Sequence, residues 1–145
     1  MSEITCSPLP SEEIPALKDS LMDAHLVAED IEDGAARFFQ FTHGHAICGY
    51  GGIELHGRDA LIRSLVVLPV FRSNGIGKKC VDQLERLARS AGATQGFLAT
   101  TTAKGFFERV GYRAIDRSEV PPRILATRQL SGLCPSTAPL MHKAL

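Results

Sequence analysis

The clearest pattern of apolar and polar positions in the chain lies between residues 60 and 92. Residues 60–68 are almost all apolar, which is typical of a strand covered on both faces, and Pro69 ends the run. A helical spacing follows, and Gly92 then provides the residue type that often ends a helix. The apolar positions of this helix are Ile76, Cys80, Leu84, Leu87, Ala88 and Ala91. This part of the chain predicts a buried strand followed by an amphipathic helix.

Before this segment, the pattern predicts a short strand, a helix and a hairpin. Residues 4–6 form the strand candidate, and Ser11 fits the N-cap of the helix. Residues 37–42 and 46–56 are predicted to be the two strands of the hairpin. Three glycines interrupt the second strand, at positions Gly49, Gly51 and Gly52. They indicate a bulge or a close approach by another backbone or a ligand.

After the long helix, residues 96–100 predict another strand and residues 103–110 a short helix. A second short helix is predicted at residues 123–130. Residues 138–145 are predicted to be an edge strand, where Pro139 would be tolerated.

The connection from the strand at residues 60–68 through the helix should place the next strand parallel to it. The earlier hairpins are antiparallel by construction. We therefore expect residues 1–145 to form a single domain of the mixed α/β (α+β) class, with a mostly antiparallel sheet flanked by helices.

The composition is that of an ordinary globular chain, with 44% hydrophobic and 22% charged residues. Sixteen basic residues balance sixteen acidic ones, so no net field favours nucleic acid or an anionic membrane as a partner. No apolar run reaches the ~20 residues needed to span a bilayer. Residues 1–13 are polar and carry acids, unlike a signal peptide, so we expect a cytoplasmic location. The sequence leaves the oligomeric state open, a homodimer included.

The four cysteines, Cys6, Cys48, Cys80 and Cys134, are widely spaced and form no C-x-x-C pair. This spacing argues against a zinc site and against a thioredoxin-type motif, and no metal site is predicted. Reduced, partly buried thiols are the expected state.

Residues 72–79 join the predicted strand to the predicted helix and carry the richest candidate chemistry. Gly75 and Gly77 would let backbone N–H groups approach a bound group, and a helix N-terminus favours an anion. Lys78 and Lys79 lie in the first helical turn, where cations oppose the helix dipole unless an anion is bound. The pattern predicts a phosphate site; the alternative is a plain strand–helix turn capped by Asn74.

Two common phosphate loops do not fit this segment. A P-loop would need glycine in place of Arg72 and Ser or Thr in place of Lys79. A dinucleotide-binding loop would need a small residue in place of Cys80 and an acid about 20 residues later. An ATPase and an NAD-dependent enzyme are therefore poor interpretations.

Residues 65–77 resemble the acetyl-CoA signature of the GNAT superfamily of N-acetyltransferases. In that signature a strand ends in alternating apolar residues and a proline, here Pro69, and an R-x-x-G-x-G pattern follows, here from Arg72 to Gly77. Residues 106–112 resemble the second signature of the superfamily, F-Y-E-K-x-G-F. The order and separation of the two segments also match, and the resemblance is weakest in the part of the chain before residue 37.

This resemblance implies an acetyl-CoA-dependent N-acetyltransferase whose parallel strand pair splays around the cofactor. The strand would offer backbone groups to the pantetheine arm, the glycine loop would wrap the pyrophosphate, and the following short helix would flank the other side. The cofactor-binding residues implied in this way are Leu65, Val66, Val67, Arg72, Ser73, Asn74, Gly75, Ile76, Gly77, Lys78, Thr100 and Phe107.

The final third of the chain, including residues 123–127 and 131–138, is similar to acetyltransferases associated with arsenic-resistance operons. This similarity implies a detoxifying acetyl transfer to a small amine, such as an amino-acid-like arsenical or phosphinate.

Acetyl transfer needs a neutral amine, hydrogen-bond donors for a tetrahedral oxyanion, and a proton for the leaving thiolate. Many relatives supply that proton from a tyrosine in the second signature, where this chain has Phe107. Thr100 replaces an asparagine often found at the head of that helix. Tyr112 is expected in the core, which leaves Tyr50, on the glycine-rich strand, as the alternative acid.

Glu54 and His56 are the candidate bases, because their i, i+2 spacing places them on one face of a strand beside the cofactor strand. The alternative is that both belong to a solvated face. Arg63 and Ser64 interrupt an otherwise apolar strand and are predicted, with Arg123, to bind the substrate. An arginine fork matches a carboxylate; the alternative for Arg63 is a salt bridge at the edge of the core.

Two other functions stay open from the sequence. A catalytically weak sensor of acetyl-CoA is favoured by Phe107, which has no proton to give. A thiol-based metalloid-binding protein, with Cys134 as one contact, is disfavoured by the scattered cysteines.

Overall fold

The computed structural model describes residues 4–26, 28–29, 31, 34–72, 75–127, 130 and 138–145. Within these residues, seven strands form one sheet: β1 (Ile4–Pro8), β2 (Arg37–His43), β3 (Ala46–His56), β4 (Asp59–Val67), β5 (Gln95–Ala99), β6 (Arg113–Ala114) and β7 (Leu140–Ala144). The α-helices are α1 (Ile14–Asp23), α2 (Ile76–Ser90), α3 (Lys104–Arg109) and α4 (Pro122–Leu125). In this described part of the chain, no helix is both long and apolar enough to cross a membrane.

The strands follow the order β1-β2-β3-β4-β5-β7-β6 across the sheet. Neighbouring strands are antiparallel except β4 and β5, which are parallel. The prediction of a mixed, mostly antiparallel sheet with one parallel pair is confirmed. Helix α2 lies in the crossover between the parallel strands, as a parallel connection requires.

The prediction of an edge strand at residues 138–145 is wrong, because β7 lies between β5 and β6. It pairs with β5 along all five of its residues and with β6 through His142 and Met141. Pro139 did not force it to the edge, because this proline lies just before the strand. Its carbonyl accepts a hydrogen bond from the backbone N–H of Thr100 at 3.0 Å.

Side chains of β4 alternate between two helical layers. Ala60 and Ile62 join core clusters that contain side chains of α2. Leu61 packs in a cluster with α4, and Val66 packs in a cluster with α1. Because successive residues of a strand face opposite sides, α2 covers one face of the sheet and α1 and α4 cover the other.

Gly51 of β3 marks a place where α2 packs closely on the sheet. A Cβ atom built on Gly51 would lie 2.8 Å from Cδ1 of Leu84 on α2 and 3.1 Å from the ring of Phe41. The close approach expected at this glycine is therefore real, and the approaching group is a helix side chain rather than a ligand.

The predicted helix at residues 123–130 is shorter in the structure, since α4 has only four residues and ends at Leu125. The hydroxyl of Thr127 donates to the carbonyl of Ile124 at 2.7 Å. A side chain that occupies a backbone carbonyl in this way competes with continuation of the helix.

A buried polar cluster ties α2 to β7 and to the end of α3. Glu85 of α2 accepts a hydrogen bond from the Tyr112 hydroxyl at 3.0 Å and from Nζ of Lys143 at 3.0 Å. Lys143 also donates to the carbonyl of Val110, just after α3, at 2.9 Å. Burial and the adjacent Glu85 carboxylate raise the pKa of Tyr112 far above its usual value, so its hydroxyl stays a donor. Tyr112 is thus a core residue, as predicted.

We expect Glu85→Ala to lower the free energy of unfolding by about 3 kcal/mol, because it leaves buried donors without their acceptor. Asp82→Ala, which removes an exposed carboxylate from the same helix, is the matched control and should change stability by less than about 0.5 kcal/mol. Urea denaturation of both variants measures the difference. Equal losses would show that the cluster does not stabilise the fold.

Candidate active site

A cavity of about 870 Å³ lies where β4 and β5 separate. The two strands pair only through Asp59–Leu61 and Gln95–Phe97, and beyond these three pairs they part. One wall of the cavity is the rest of β4, and the other is the end of β5 with the segment leading into α3. Its described lining residues are Asp23, Ala24, His25, Leu26, Glu29, Ile62, Arg63, Ser64, Leu65, Val66, Val67, Arg72, Leu98, Ala99, Thr100, Thr101, Thr102, Ala103, Phe107 and Ala138.

A β-bulge bends β4 at the cavity wall. Arg63 pairs with Gly52 and Val66 pairs with Tyr50, so two residues of β4 stand opposite one of β3. The extra residue is accommodated at Ser64, whose φ of +56° lies in the left-handed region that non-glycine residues rarely adopt. A bulge increases local twist and turns the strand, which here directs β4 away from β5.

Past the bulge, β4 faces the cavity with backbone groups that β5 does not pair. Leu65, Val66 and Val67 all line the cavity, although their side chains pack into the core. The carbonyl of Val67 accepts a hydrogen bond from Nε of Arg72 at 2.8 Å. Arg72 therefore spans the entry of the glycine loop, in the place the sequence predicts for it.

Glycine is required at the two loop positions, Gly75 and Gly77, for different structural reasons. Gly75 precedes α2 with φ of +74°, a conformation that glycine adopts without the usual steric cost. A Cβ atom on Gly77 would lie 3.0 Å from the Phe106 ring, so this glycine also lets α2 pack closely beside α3. The side chain of Ile76 is buried, so only its backbone could contact a ligand. The side chain of Lys78 is exposed. Ser73 and Asn74 lie outside the described residues.

The opposite wall is built around Thr100 and Phe107. The hydroxyl of Thr100 accepts a hydrogen bond from the backbone N–H of Ala103 at 3.0 Å and so shapes the turn before α3. Phe107 is buried and packs edge-on against Phe106 and Tyr112. This wall is therefore rigid and apolar at the position where the sequence lacks the tyrosine of its relatives.

Four candidate site residues form one hydrogen-bonded chain. Nη1 of Arg63 donates to Oε2 of Glu54 at 2.8 Å, and these side chains are only 1% and 3% exposed. Nε of Arg63 donates to Oγ of Ser64 at 3.1 Å, and Nε2 of His56 lies 3.3 Å from Oε1 of Glu54. The guanidinium also lies over the Phe38 ring, 5.3 Å from its centroid. Arg63 and Ser64 reach the cavity, whereas Glu54 and His56 are not among its lining residues.

Tyr50 and Arg123 lie apart from this cavity. Tyr50 is buried in the cluster under α1, and burial, with a contribution from Glu13, raises the pKa of its hydroxyl. Arg123 is exposed, and its guanidinium lies 2.7 Å from where a Cβ atom on Gly57 would stand, beside the β3–β4 turn. That turn is at the opposite end of β4 from the glycine loop.

The sequence analysis missed the residues contributed by the end of α1. Asp23, His25 and Glu29 line the cavity, and His25 adopts φ of +60° just after the helix. The acidity of this region was visible in the sequence, but nothing in its spacing placed it beside the cofactor strand.

The three described cysteines meet in the core despite their wide spacing. Cys48 and Cys80 belong to the cluster between the sheet and α2, and Cys6 packs against it. Burial raises the pKa of the Cys6 thiol to about 11 and that of Cys80 to about 12. Thiols rather than thiolates are therefore expected, and the thiolate is the metal-binding form. Among the described residues, no His, Cys, Asp and Glu side chains are grouped so as to hold a metal ion; Cys134 lies outside them.

Comparison with known proteins agrees with this geometry. A model of the acetyltransferase (GNAT) domain matches residues 6–127. An uncharacterised N-acetyltransferase of Chlorobaculum tepidum is 40% identical over 97 residues, which are 66% of this chain and 62% of that protein. The match thus spans less than two thirds of the length of this relative.

Solved structures share the fold. N-acetylglutamate synthase from Neisseria gonorrhoeae, in complex with coenzyme A and N-acetyl-glutamate, has a TM-score of 0.82 at 15% identity, over 100% of this chain and 36% of that one. A Mycobacterium tuberculosis protein in complex with coenzyme A has a TM-score of 0.79 at 18% identity, over 97% of this chain and 99% of that one. At these identities the likeness establishes the fold alone.

The contribution of the Glu54–Arg63 ion pair to the stability of the fold can be tested by substitution. We expect Glu54→Leu to lower the free energy of unfolding by about 3–5 kcal/mol, because it removes the carboxylate to which Nη1 of the buried Arg63 donates. The double variant Glu54→Leu/Arg63→Met should recover most of that loss, because both charges are gone. Guanidinium chloride denaturation of the wild type, both single variants and the double variant measures this double-mutant cycle. Glu119→Leu, which removes an exposed carboxylate, is the control. Losses that simply add in the double variant would contradict the coupling.

Proposed function

Because the chain belongs to the GNAT family of acetyltransferases, we propose that it transfers the acetyl group of acetyl-CoA to the amino group of a small, amino-acid-like molecule. The amine attacks directly in a ternary complex. The observation that carries this proposal is the gap between β4 and β5, which extends from Arg72, at the entry of the glycine loop, to the bulge at Ser64. We assign the phosphates of the cofactor to the loop end of this gap and the reaction to its polar end at Ser64.

Coenzyme A would bind along this path without a metal ion. The pyrophosphate would lie at the N-terminus of α2, where Gly75 exposes backbone N–H groups and Lys78 adds charge. The first turn of α2 contains no acidic residue that would oppose an anion. The pantetheine arm would pair with backbone groups of residues 65–67 that have no partner on β5, and Thr100 and Phe107 would form the other wall.

The acetyl group would then lie near the bulge, where positioning and hydrogen-bond donors accelerate the attack. We assign Glu54 a supporting role there, because it is buried against Arg63 and does not line the cavity. Tyr50 is not used in this mechanism, because it is buried on the α1 side. Asp23 and Glu29 are the cavity carboxylates placed to attract the ammonium of the acceptor.

The charges of the cavity favour an acceptor that carries both signs. Asp23 and Glu29 come from the α1 side, and Arg63 faces the cavity from β4. Arg123 is remote from these groups, so we assign the anionic end of the acceptor to Arg63. An amino acid has this charge arrangement, and so do the amino-acid-like arsenicals and phosphinates that the resemblance to arsenic-operon acetyltransferases suggests.

A second candidate is a sensor that binds acetyl-CoA without efficient turnover. The observation favouring it is the buried, apolar Phe107 on the cavity wall. Release of free thiol from acetyl-CoA in the presence of amines separates the two functions.

We expect coenzyme A at about 100 times its Kd to stabilise the fold by about 2.7 kcal/mol, seen as a rise in Tm. Gly77→Glu and Lys78→Glu should abolish this rise, because each places a carboxylate at the anion site. Ser90→Glu adds the same charge at the other end of α2 and should preserve it. Each shift is taken relative to the ligand-free form of the same variant. A wild-type shift that survives both loop variants would remove the phosphate-loop assignment.

We expect amino acids with an anionic end to be better acceptors than amines of the same length without one. The difference in kcat/KM should be at least about tenfold, since a hydrogen bond to a charged group contributes about 1.5–3 kcal/mol. A panel containing L-glutamate, its γ-phosphinate analogue, an unsubstituted alkylamine and a lysine-rich peptide, read by thiol release, measures this. Preference for the peptide would contradict the assigned acceptor class.

A further inference from the structure

Ser64 occupies a backbone conformation that glycine would adopt at lower cost. Its φ of +56° makes it one of two non-glycine residues with positive φ in the described chain, the other being His25. Strained residues of this kind persist where the surrounding structure or the function requires their side chain. The side chain of Ser64 lies on the cavity wall, at the bulge.

The hydrogen bonding of Ser64 fixes the direction of its proton. Nε of Arg63 donates to Oγ of Ser64, and a guanidinium has only donors to offer. The Ser64 hydroxyl must therefore accept from Arg63 and direct its own proton elsewhere. No hydrogen bond from this proton to another residue is present in the described part of the chain, and the open side of Ser64 is the cavity. The buried cation of Arg63, held by Glu54, also makes this hydroxyl a stronger donor.

Other hydroxyls around the site are less suitable as proton donors. Tyr112 donates to Glu85 in the core, and Tyr50 is buried away from the cavity. Phe107 has no hydroxyl. Thr100 lines the cavity, but its hydroxyl accepts from the neutral backbone N–H of Ala103 rather than from a cation. Thr101 and Thr102 line the cavity as exposed residues.

We propose that Ser64 transfers the proton to the leaving thiolate during acetyl transfer, a role that rests on the proposed function. The amine nitrogen forms a bond to the thioester carbon, and the carbonyl electron pair moves to oxygen. When the intermediate collapses, the C–S bond breaks and its electron pair goes to sulfur. Sulfur takes the hydroxyl proton of Ser64, while Oγ takes a proton from the nitrogen, which became positively charged when the neutral amine attacked. The products are the amide and the free thiol of coenzyme A, and Ser64 is regenerated.

This role makes Ser64 a substitute for the acid that Phe107 cannot provide. Both residues face the same cavity, Ser64 from β4 and Phe107 from α3. A tyrosine at position 107 should then compensate for the loss of Ser64, whereas a purely structural serine could not be replaced in this way.

The test uses Ser64→Gly, because glycine keeps the bulge and relieves its strain. Thiol release from acetyl-CoA is measured with hydroxylamine, a small neutral nucleophile that does not need the acceptor pocket. We expect Ser64→Gly to lower kcat on the order of 100-fold, with the KM for acetyl-CoA and the coenzyme A-induced Tm shift unchanged. Ser64→Gly/Phe107→Tyr should recover at least about tenfold of the loss. Ser118→Gly, which removes an exposed hydroxyl bonded to Asp116, should behave as wild type.

A Ser64→Gly variant within about twofold of an active wild type would overturn the inference and leave the proposed function standing. Loss of turnover in Thr101→Ala or Thr102→Ala but not in Ser64→Gly would overturn it as well. A wild type that binds coenzyme A but releases no thiol with hydroxylamine or any amino acid would overturn the proposed function and this role together. If Ser64→Gly does not fold, Ser64→Asn, which also tolerates left-handed φ, decides by the same kcat criterion.

Discussion

Strands β4 and β5 are parallel and pair through only three residue pairs, so beyond these pairs neither strand supplies hydrogen-bond partners to the other. The rest of the structure depends on this gap. Buried backbone groups need hydrogen-bond partners, so such a gap persists only where a ligand or solvent can supply them. The bulge at Ser64 opens it, the Glu54–Arg63 pair braces the bulge, and the Glu85 cluster fixes α3 as the far wall. The charged pairs of this molecule thus act mainly as supports for an opening in the sheet.

Much of the fold could be predicted from local patterns in the sequence. The apolar run at β4 is compatible with a strand, and the apolar spacing at α2 is compatible with a helix. Each pattern therefore predicted one type of element. The two wrong predictions have different causes. At α4, a local hydrogen bond from the Thr127 hydroxyl to the carbonyl of Ile124 competes with continuation of the helix. At β7, long-range pairing with β5 and β6 places the strand inside the sheet.

The sequence indicates the backbone geometry of the proposed cofactor half of the site more fully than that of the proposed acceptor half. A glycine in a loop indicates a backbone conformation that other residues rarely adopt, and Gly75, with φ of +74°, has such a conformation. The Glu54–Arg63 pair could have been predicted too, because a turn at Gly57 makes these residues diagonal neighbours on one face of the hairpin. The glycines of residues 49–52 indicated a bulge, and the register does shift opposite Gly51. The strained residue itself gave no signal, since Ser64 is not a residue type that marks positive φ. The contribution of α1 to the cavity depends on long-range packing that no local pattern encodes.

The place of β7 in the sheet also has a consequence for synthesis on the ribosome. Strand β5 is made well before β7, which lies between it and β6. While the nascent chain emerges, the outer edge of β5 has no partner, and an unpaired strand edge invites association with other chains. The wall of the cavity that β5 provides is therefore completed only after β7 has been translated.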